Sequence, residues 1–77
     1  MIAVHANVQT SGNKVQVFFP MRYRNNAPLK AIIPDVRAHL DIETQDWLSA
    51  QVVIMYYDRN GYNTRNKYVF IEKEIEQ

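Results

Sequence analysis

Residues 32–48 have the sequence IIPDVRAHLDIETQDWL, and this stretch decides the fold because it joins an apolar run, a helix and a strand within a short length. Pro34 has no backbone N–H, and its fixed φ suits the first turn of a helix. We therefore predict that Pro34 ends the apolar run at residues 29–33 and that a short helix starts at Asp35.

The predicted helix has one apolar face. Val36 and Leu40 lie four residues apart and would share that face. Asp41 tolerates the left-handed conformation that is common where helices end, so we place the end of the helix there. Strict alternation over residues 36–43 is also a strand pattern, but the preceding proline and the polar turn at residues 43–46 favour the helix. The predicted core of this region is Val36, Leu40, Ile42, Trp47 and Leu48.

Alternation of apolar and other side chains predicts two strands before the helix. Residues 2–9 and residues 14–24 both have the period of a half-buried strand, and a polar turn separates them. Pro20 marks the second of these strands as an edge, a bulge or an end, because it cannot donate to a ladder. A C-terminal hairpin is predicted from residues 51–57 and 67–71, joined by a long polar turn.

Residues 36–48 match the pattern V-R-x-x-L-x-I-x-x-x-D-x-L, which resembles the AbrB/MazE/SpoVT swapped-hairpin family. Residues 11–20, with the sequence SGNKVQVFFP, are similar to the first strand of that family and the turn before it, and either Pro20 or Pro34 would be its structural proline. The resemblance implies a mainly β fold with one short helix, a swapped-hairpin β-barrel built by a homodimer. A small OB-like or SH3-like barrel is the alternative fold.

The composition predicts one small domain. We assign residues 1–77 to it, and a chain of this length buries only about 60% of its unfolded surface, so self-association is expected to add burial. The absence of cysteine excludes disulfides and zinc–thiolate sites. No apolar run approaches the roughly 20 residues of a membrane span, and no signal peptide is visible, so we expect a cytoplasmic protein without membrane contact.

No residue pattern predicts catalysis. The two serines have no recognisable partners, and two glycines are too few for a phosphate-binding loop. The carboxylates of Asp41, Glu43 and Asp46 are typical of a solvated turn. We therefore expect no enzyme activity, no metal site and no cofactor.

Basic residues are the better functional candidates. Residues 1–34 contain four cations and no acidic residue, although the formal net charge of the chain is only +1. Cations neutralise nucleic-acid phosphates, and the resemblance implies DNA contacts from Arg37 and Lys14. The candidate nucleic-acid-binding residues are Lys14, Arg22, Arg24, Lys30 and Arg37, with Arg59, Arg65 and Lys67 as a secondary set.

The sequence thus predicts a homodimeric transcriptional regulator that binds duplex DNA through a basic face. One alternative is a protein-binding module or inhibitor that acts through a β edge or the hairpin at residues 56–68. Another is a single-stranded nucleic-acid binder that stacks bases on Phe18, Tyr23 or Tyr62.

Overall fold

Four antiparallel strands form one sheet in the order β2-β1-β3-β4, and one helix packs on a single face of it. The computed structural model describes residues 1–73. The elements are β1 (Ile2–Thr10), β2 (Lys14–Tyr23), α1 (Leu29–Glu43), β3 (Trp47–Tyr57) and β4 (Asn63–Glu72). The prediction of a mainly β chain with one helix is confirmed, and the sheet is not closed, so β2 and β4 are its edges. No helix within residues 1–73 combines the length and the apolar character that crossing a membrane requires.

The predicted alternation of buried and exposed side chains in β1 is confirmed. Ile2, Val4, Ala6 and Val8 are all buried on the side of the sheet that α1 covers. Residues opposite each other in a ladder share a face, so the neighbouring strands add their own apolar residues to the same side. This face of the sheet and α1 together form the core.

Strand β2 is an edge strand with an irregular ladder, as Pro20 predicts. Ala3 pairs with Arg22 and His5 pairs with Phe18, so two steps along β1 correspond to four along β2. The extra residues surround Pro20, whose missing N–H is tolerated at an edge or a bulge.

The predicted helix boundaries are wrong. α1 begins at Leu29, six residues before the predicted start, and it continues through Pro34 to Glu43. Ile32, Val36 and Leu40 recur every four residues and are fully buried against the sheet. Burial of three such side chains contributes several kcal/mol, which outweighs the roughly 3 kcal/mol that an interior proline costs.

The end of α1 is fixed by a buried tryptophan. The indole Nε1 of Trp47 donates a hydrogen bond to Oδ1 of Asp41 at 2.8 Å. The prediction that the helix ends at Asp41 is wrong, because the C-cap is Thr44. The prediction that Ile42 and Leu48 belong to the core is wrong, because both side chains are exposed. Ile42 lies two residues after Leu40 on the helix and therefore points away from the sheet.

The β3–β4 turn is shorter than predicted. Oδ1 of Asp58 accepts hydrogen bonds from the backbone N–H groups of Asn60 and Tyr62, and Gly61 adopts a φ of 88°. The backbone carbonyl of Tyr62 accepts a bond from Asp58 and closes the turn. Residues 63–66, which were predicted to lie in a loop, therefore belong to β4.

Replacing Pro34 with alanine is expected to raise the free energy of unfolding by about 1–3 kcal/mol, because an alanine N–H at this position could donate to the carbonyl of Lys30 and the clash of the proline ring would be relieved. Urea unfolding of P34A measures this. The matched control is P28A at the N-cap, where no helical hydrogen bond is missing and the change should be smaller. Equal effects of the two substitutions would contradict the explanation.

Replacing Asp41 with alanine leaves the buried N–H of Trp47 without its acceptor. We expect D41A to lower the free energy of unfolding by about 1–3 kcal/mol, and D41N to lower it less because an amide oxygen can still accept. Thermal or urea unfolding of both variants checks this. An identical loss in D41A and D41N would show that the hydrogen bond contributes nothing.

Candidate functional site

The face of the sheet opposite α1, here called the open face, is not covered by any element within residues 1–73. Its central row runs across all four strands and consists of Phe18, His5, Val53 and Tyr68. Val53 is only 5% exposed although it lies outside the helix-side core. Side chains of the neighbouring strands therefore cover Val53 and form the outer surface of this face.

Three aromatic side chains stand out on the open face. Phe18 on β2 is 66% exposed, and on β4 Tyr68 is 60% exposed and Phe70 is 65% exposed. Tyr68 and Phe70 are two residues apart and so point to the same side, about 7 Å from each other along the strand. We call these three side chains the aromatic patch.

Polar and cationic groups surround the aromatic patch. Lys14 and Arg22 lie on the same face of β2, near its two ends. The row next to the central one contains the amides of Gln16, Asn7 and Gln51 and ends at Phe70. The amide nitrogen of Gln16 lies 3.5 Å from Oδ1 of Asn7. These amides still have free donors and acceptors for a ligand.

His5 lies at the centre of the open face. Its ring centroid is 5.1 Å from that of Phe18, and its Nδ1 is buried without a hydrogen-bond partner in the described part of the chain. Burial lowers the pKa of His5 below its ordinary value, because the charged imidazolium loses hydration there.

The predicted basic residues do not all lie on one face. Lys14 and Arg22 are on the open face, whereas Lys30 and Arg37 are on α1 and Arg24 follows the end of β2. Nη1 of Arg37 donates to the backbone carbonyl of Glu72 at 2.7 Å, and its guanidinium carbon is 5.9 Å from the centroid of the Trp47 ring. Arg37 thus ties α1 to the end of β4.

The secondary basic set is also dispersed. Arg59 lies in the β3–β4 turn. Arg65 and Lys67 pair with Tyr56 and Ile54, which face α1, so both cations are on the opposite side of β4 from the aromatic patch. The guanidinium carbon of Arg65 is 4.1 Å from the centroid of the Tyr56 ring.

Of the three aromatics predicted to stack bases, only Phe18 lies on the open face. The Tyr23 hydroxyl donates to Oδ2 of Asp35 on α1 at 2.6 Å, and burial together with this carboxylate raises the pKa of Tyr23. Tyr62 is exposed in the β3–β4 turn. Sequence reasoning missed Tyr68 and Phe70 as candidates, although their alternation with Val69 and Ile71 places the aromatics on one face and the aliphatics on the other.

The acidic residues of the helix end form no metal site in the described part of the chain. No group of three or more His, Cys, Asp or Glu side chains able to hold a metal ion occurs within residues 1–73. Asp41 accepts a hydrogen bond from Trp47, and Oδ2 of Asp46 accepts one from the Ser11 hydroxyl. Two of the three carboxylates in this segment therefore have structural partners.

Comparisons of the chain with protein-family models, with curated proteins and with solved structures each found no match. Membership of the AbrB/MazE/SpoVT family therefore stays a prediction from the resemblance.

The lowered pKa of His5 predicts that stability depends on pH. Below the ordinary value of 6.5 the unfolded chain takes up a proton that the folded chain resists, so the free energy of unfolding should fall as the pH is lowered through this value. We expect H5Q to lose less stability than the parent between about pH 7.5 and 5.5, measured by urea unfolding.

The matched control for this experiment is H39Q, which keeps His5 and should keep the fall in stability. The explanation is wrong if H5Q and the parent lose stability equally over this pH range.

Proposed function

We propose that this protein binds single-stranded nucleic acid on the open face of its sheet. The observation that supports this proposal is the aromatic patch, because Phe18, Tyr68 and Phe70 remain exposed on one face of a four-stranded sheet. Four-stranded sheets that bind single-stranded RNA stack two or three bases on aromatic side chains of their open face. The chemistry of this face suits the same kind of ligand.

Base stacking accounts for the exposure of the aromatic patch. Each base that stacks on an aromatic side chain contributes about 1–3 kcal/mol, and any base can do so because all bases have a π-face. Tyr68 and Phe70 are close enough along β4 to hold neighbouring bases, and Phe18 lies on the other edge of the sheet. A single strand that crosses the sheet could contact both edges.

The cations of β2 are placed to neutralise the phosphates of a bound strand. Lys14, Phe18 and Arg22 lie on the same face of β2. Phe18 is four extended residues, or about 13 Å, from Lys14, whereas the irregular ladder places Arg22 only two steps of β1, or about 7 Å, from Phe18. The aromatic ring therefore lies between two cations that can approach the backbone on either side of a stacked base. Two such contacts predict a slope of log K against log salt of about −1.4 for a single strand.

The amides of the open face can contact base edges. Asn and Gln side chains offer both a donor and an acceptor, which matches the paired groups on an unpaired base. Asn7, Gln16 and Gln51 lie next to the aromatic patch in one row. They provide hydrogen bonds without adding charge.

The duplex-binding regulator stays a prediction from the sequence, as do its swapped-hairpin homodimer and its cytoplasmic location. That hypothesis uses Lys14, Arg22, Arg24, Lys30 and Arg37 together. Only Lys14 and Arg22 share a face with exposed aromatics. Duplexes keep their bases stacked inside, so the aromatic patch favours a single strand.

The test is fluorescence anisotropy with labelled single-stranded DNA, single-stranded RNA and duplex DNA of mixed sequence. We expect the single strands to bind more tightly than the duplex. F18A and F70A should each weaken single-strand binding about 5- to 150-fold, which corresponds to the loss of one stacked base.

The matched control is I42A. Ile42 is another exposed hydrophobic residue, but it lies on α1 rather than on the open face, so its truncation should leave the affinity unchanged. Circular dichroism checks that all three variants fold. Tighter binding to the duplex, or equal affinities of F18A, F70A and I42A, would overturn the proposal.

A further inference from the structure

The two edges of the sheet differ in their capacity to accept another strand. β2 contains Pro20, and its ladder with β1 is irregular around that residue. β4 contains no proline, and its ladder with β3 is regular from the pair Ser49–Glu72 to the pair Tyr56–Arg65. Exposed edges without proline or bulges are the ones that pair with other chains.

The hydrogen bonds between β4 and β3 determine which backbone N–H and C=O groups of β4 remain unpaired within this sheet. The N–H of Lys73 donates to the carbonyl of Leu48, its direct partner across the ladder, so this pair is hydrogen-bonded. Hydrogen-bonded and non-hydrogen-bonded pairs alternate in an antiparallel ladder. The backbone N–H and C=O groups of four residues of β4 therefore point in the plane of the sheet, away from β3. These residues are Asn66, Tyr68, Phe70 and Glu72.

The side chains along β4 divide the strand into two halves. Arg65 and Lys67, charges of the kind that protect an edge, lie in the N-terminal half. Residues 68–71 are Tyr-Val-Phe-Ile and contain no charge. Two of these four side chains, Tyr68 and Phe70, are well exposed. The part of the edge without charged side chains is therefore residues 68–71, and it includes Val69.

We propose that β4 is the edge through which two copies of this chain pair, antiparallel and with Val69 on the twofold axis. A second copy fits this edge because residues 68–70 (Tyr-Val-Phe) pair with themselves in this register. Tyr68 of one copy lies opposite Phe70 of the other on the open face, and the two Val69 side chains meet on the opposite face. Aromatic cross-strand pairs of this kind stabilise antiparallel strands.

The charges of β4 are compatible with this register. Lys67 lies opposite Ile71 of the other copy, and Asn66 lies opposite Glu72. The like-charged residues Arg65 and Lys73 also face each other, but each is engaged within its own chain. Arg65 stands over the Tyr56 ring, and Nζ of Lys73 donates to the carbonyl of Gln45 at 2.7 Å.

Pairing through β4 would join the two sheets into one sheet of eight strands. A twofold axis perpendicular to the sheet keeps both open faces on the same side. Tyr68 and Phe70 of the two copies would then form one continuous aromatic surface, with Phe18 at either end. The pairing itself rests on the β4 edge and does not depend on nucleic-acid binding.

A cysteine at the twofold axis tests this register. Val69 would form a non-hydrogen-bonded pair with itself, in which the Cα atoms are about 4.5 Å apart, and disulfides form at this separation. The natural chain has no cysteine, so V69C introduces a single thiol. We expect V69C to form a disulfide-linked dimer on mild oxidation, and reductant should return it to the monomer band on a denaturing gel.

The matched control is V17C on the other edge strand, which pairs only with Ala6 of β1 and should not cross-link. Sedimentation velocity of the natural chain, over a hundredfold range of concentration, should show a species of twice the 9.1 kDa mass. The proposal is overturned if V69C cross-links no faster than V17C, or if the chain sediments as a monomer at every concentration.

The two proposals fail independently. A monomer that binds single strands overturns the β4 pairing and leaves nucleic-acid binding intact. A β4-linked dimer that binds no nucleic acid overturns the proposed function and leaves the pairing intact.

Discussion

The packing of α1 against one face of the sheet is the contact on which the rest of the structure depends. Ile32, Val36 and Leu40 are fully buried there, and each contributes about 1.5–3 kcal/mol by leaving water. This contact holds a helix that contains Pro34 in its interior. It also uses the one helix found within residues 1–73, so no helix of that part of the chain covers the other face of the sheet.

The order of the strands explains why the candidate surfaces lie where they do. β1 is antiparallel to both of its neighbours, so β2 and β3 run parallel on either side of it, and α1 crosses the sheet between them. β4 then adds to the outside of β3 and becomes a regular edge. Tyr68 and Phe70 belong both to this edge and to the open face, so binding on the face and pairing at the edge use the same two side chains.

The sequence predicted the strands better than the helix. Alternation located β1, which has one buried face, and β2, which has one partly buried face, and Pro20 correctly marked an edge. The predicted start of the helix was wrong because proline is usually found in the first turn of a helix, and this preference was given more weight than the spacing of the apolar residues. Ile32, Val36 and Leu40 are four residues apart, which is typical of a buried helix face. The candidate site was only partly visible, since charge directed attention to cations. The aromatic patch combines Phe18 with two residues from the other end of the chain, and their position on one face of the same sheet follows from the pairing of β1 with β3, which local patterns do not contain.

That pairing also determines how the chain assembles. The ladders β1–β2 and β3–β4 are local, and hairpins of this kind form in about 1–10 μs. The ladder between β1 and β3 joins Ile2 to Tyr56 and needs both halves of the chain, so it carries the largest loop-closure entropy and we expect it to form last. Until it forms, each hairpin exposes an apolar face and an unpaired inner edge. A newly synthesised chain is therefore most prone to aggregation in the interval between hairpin formation and the docking of β1 on β3.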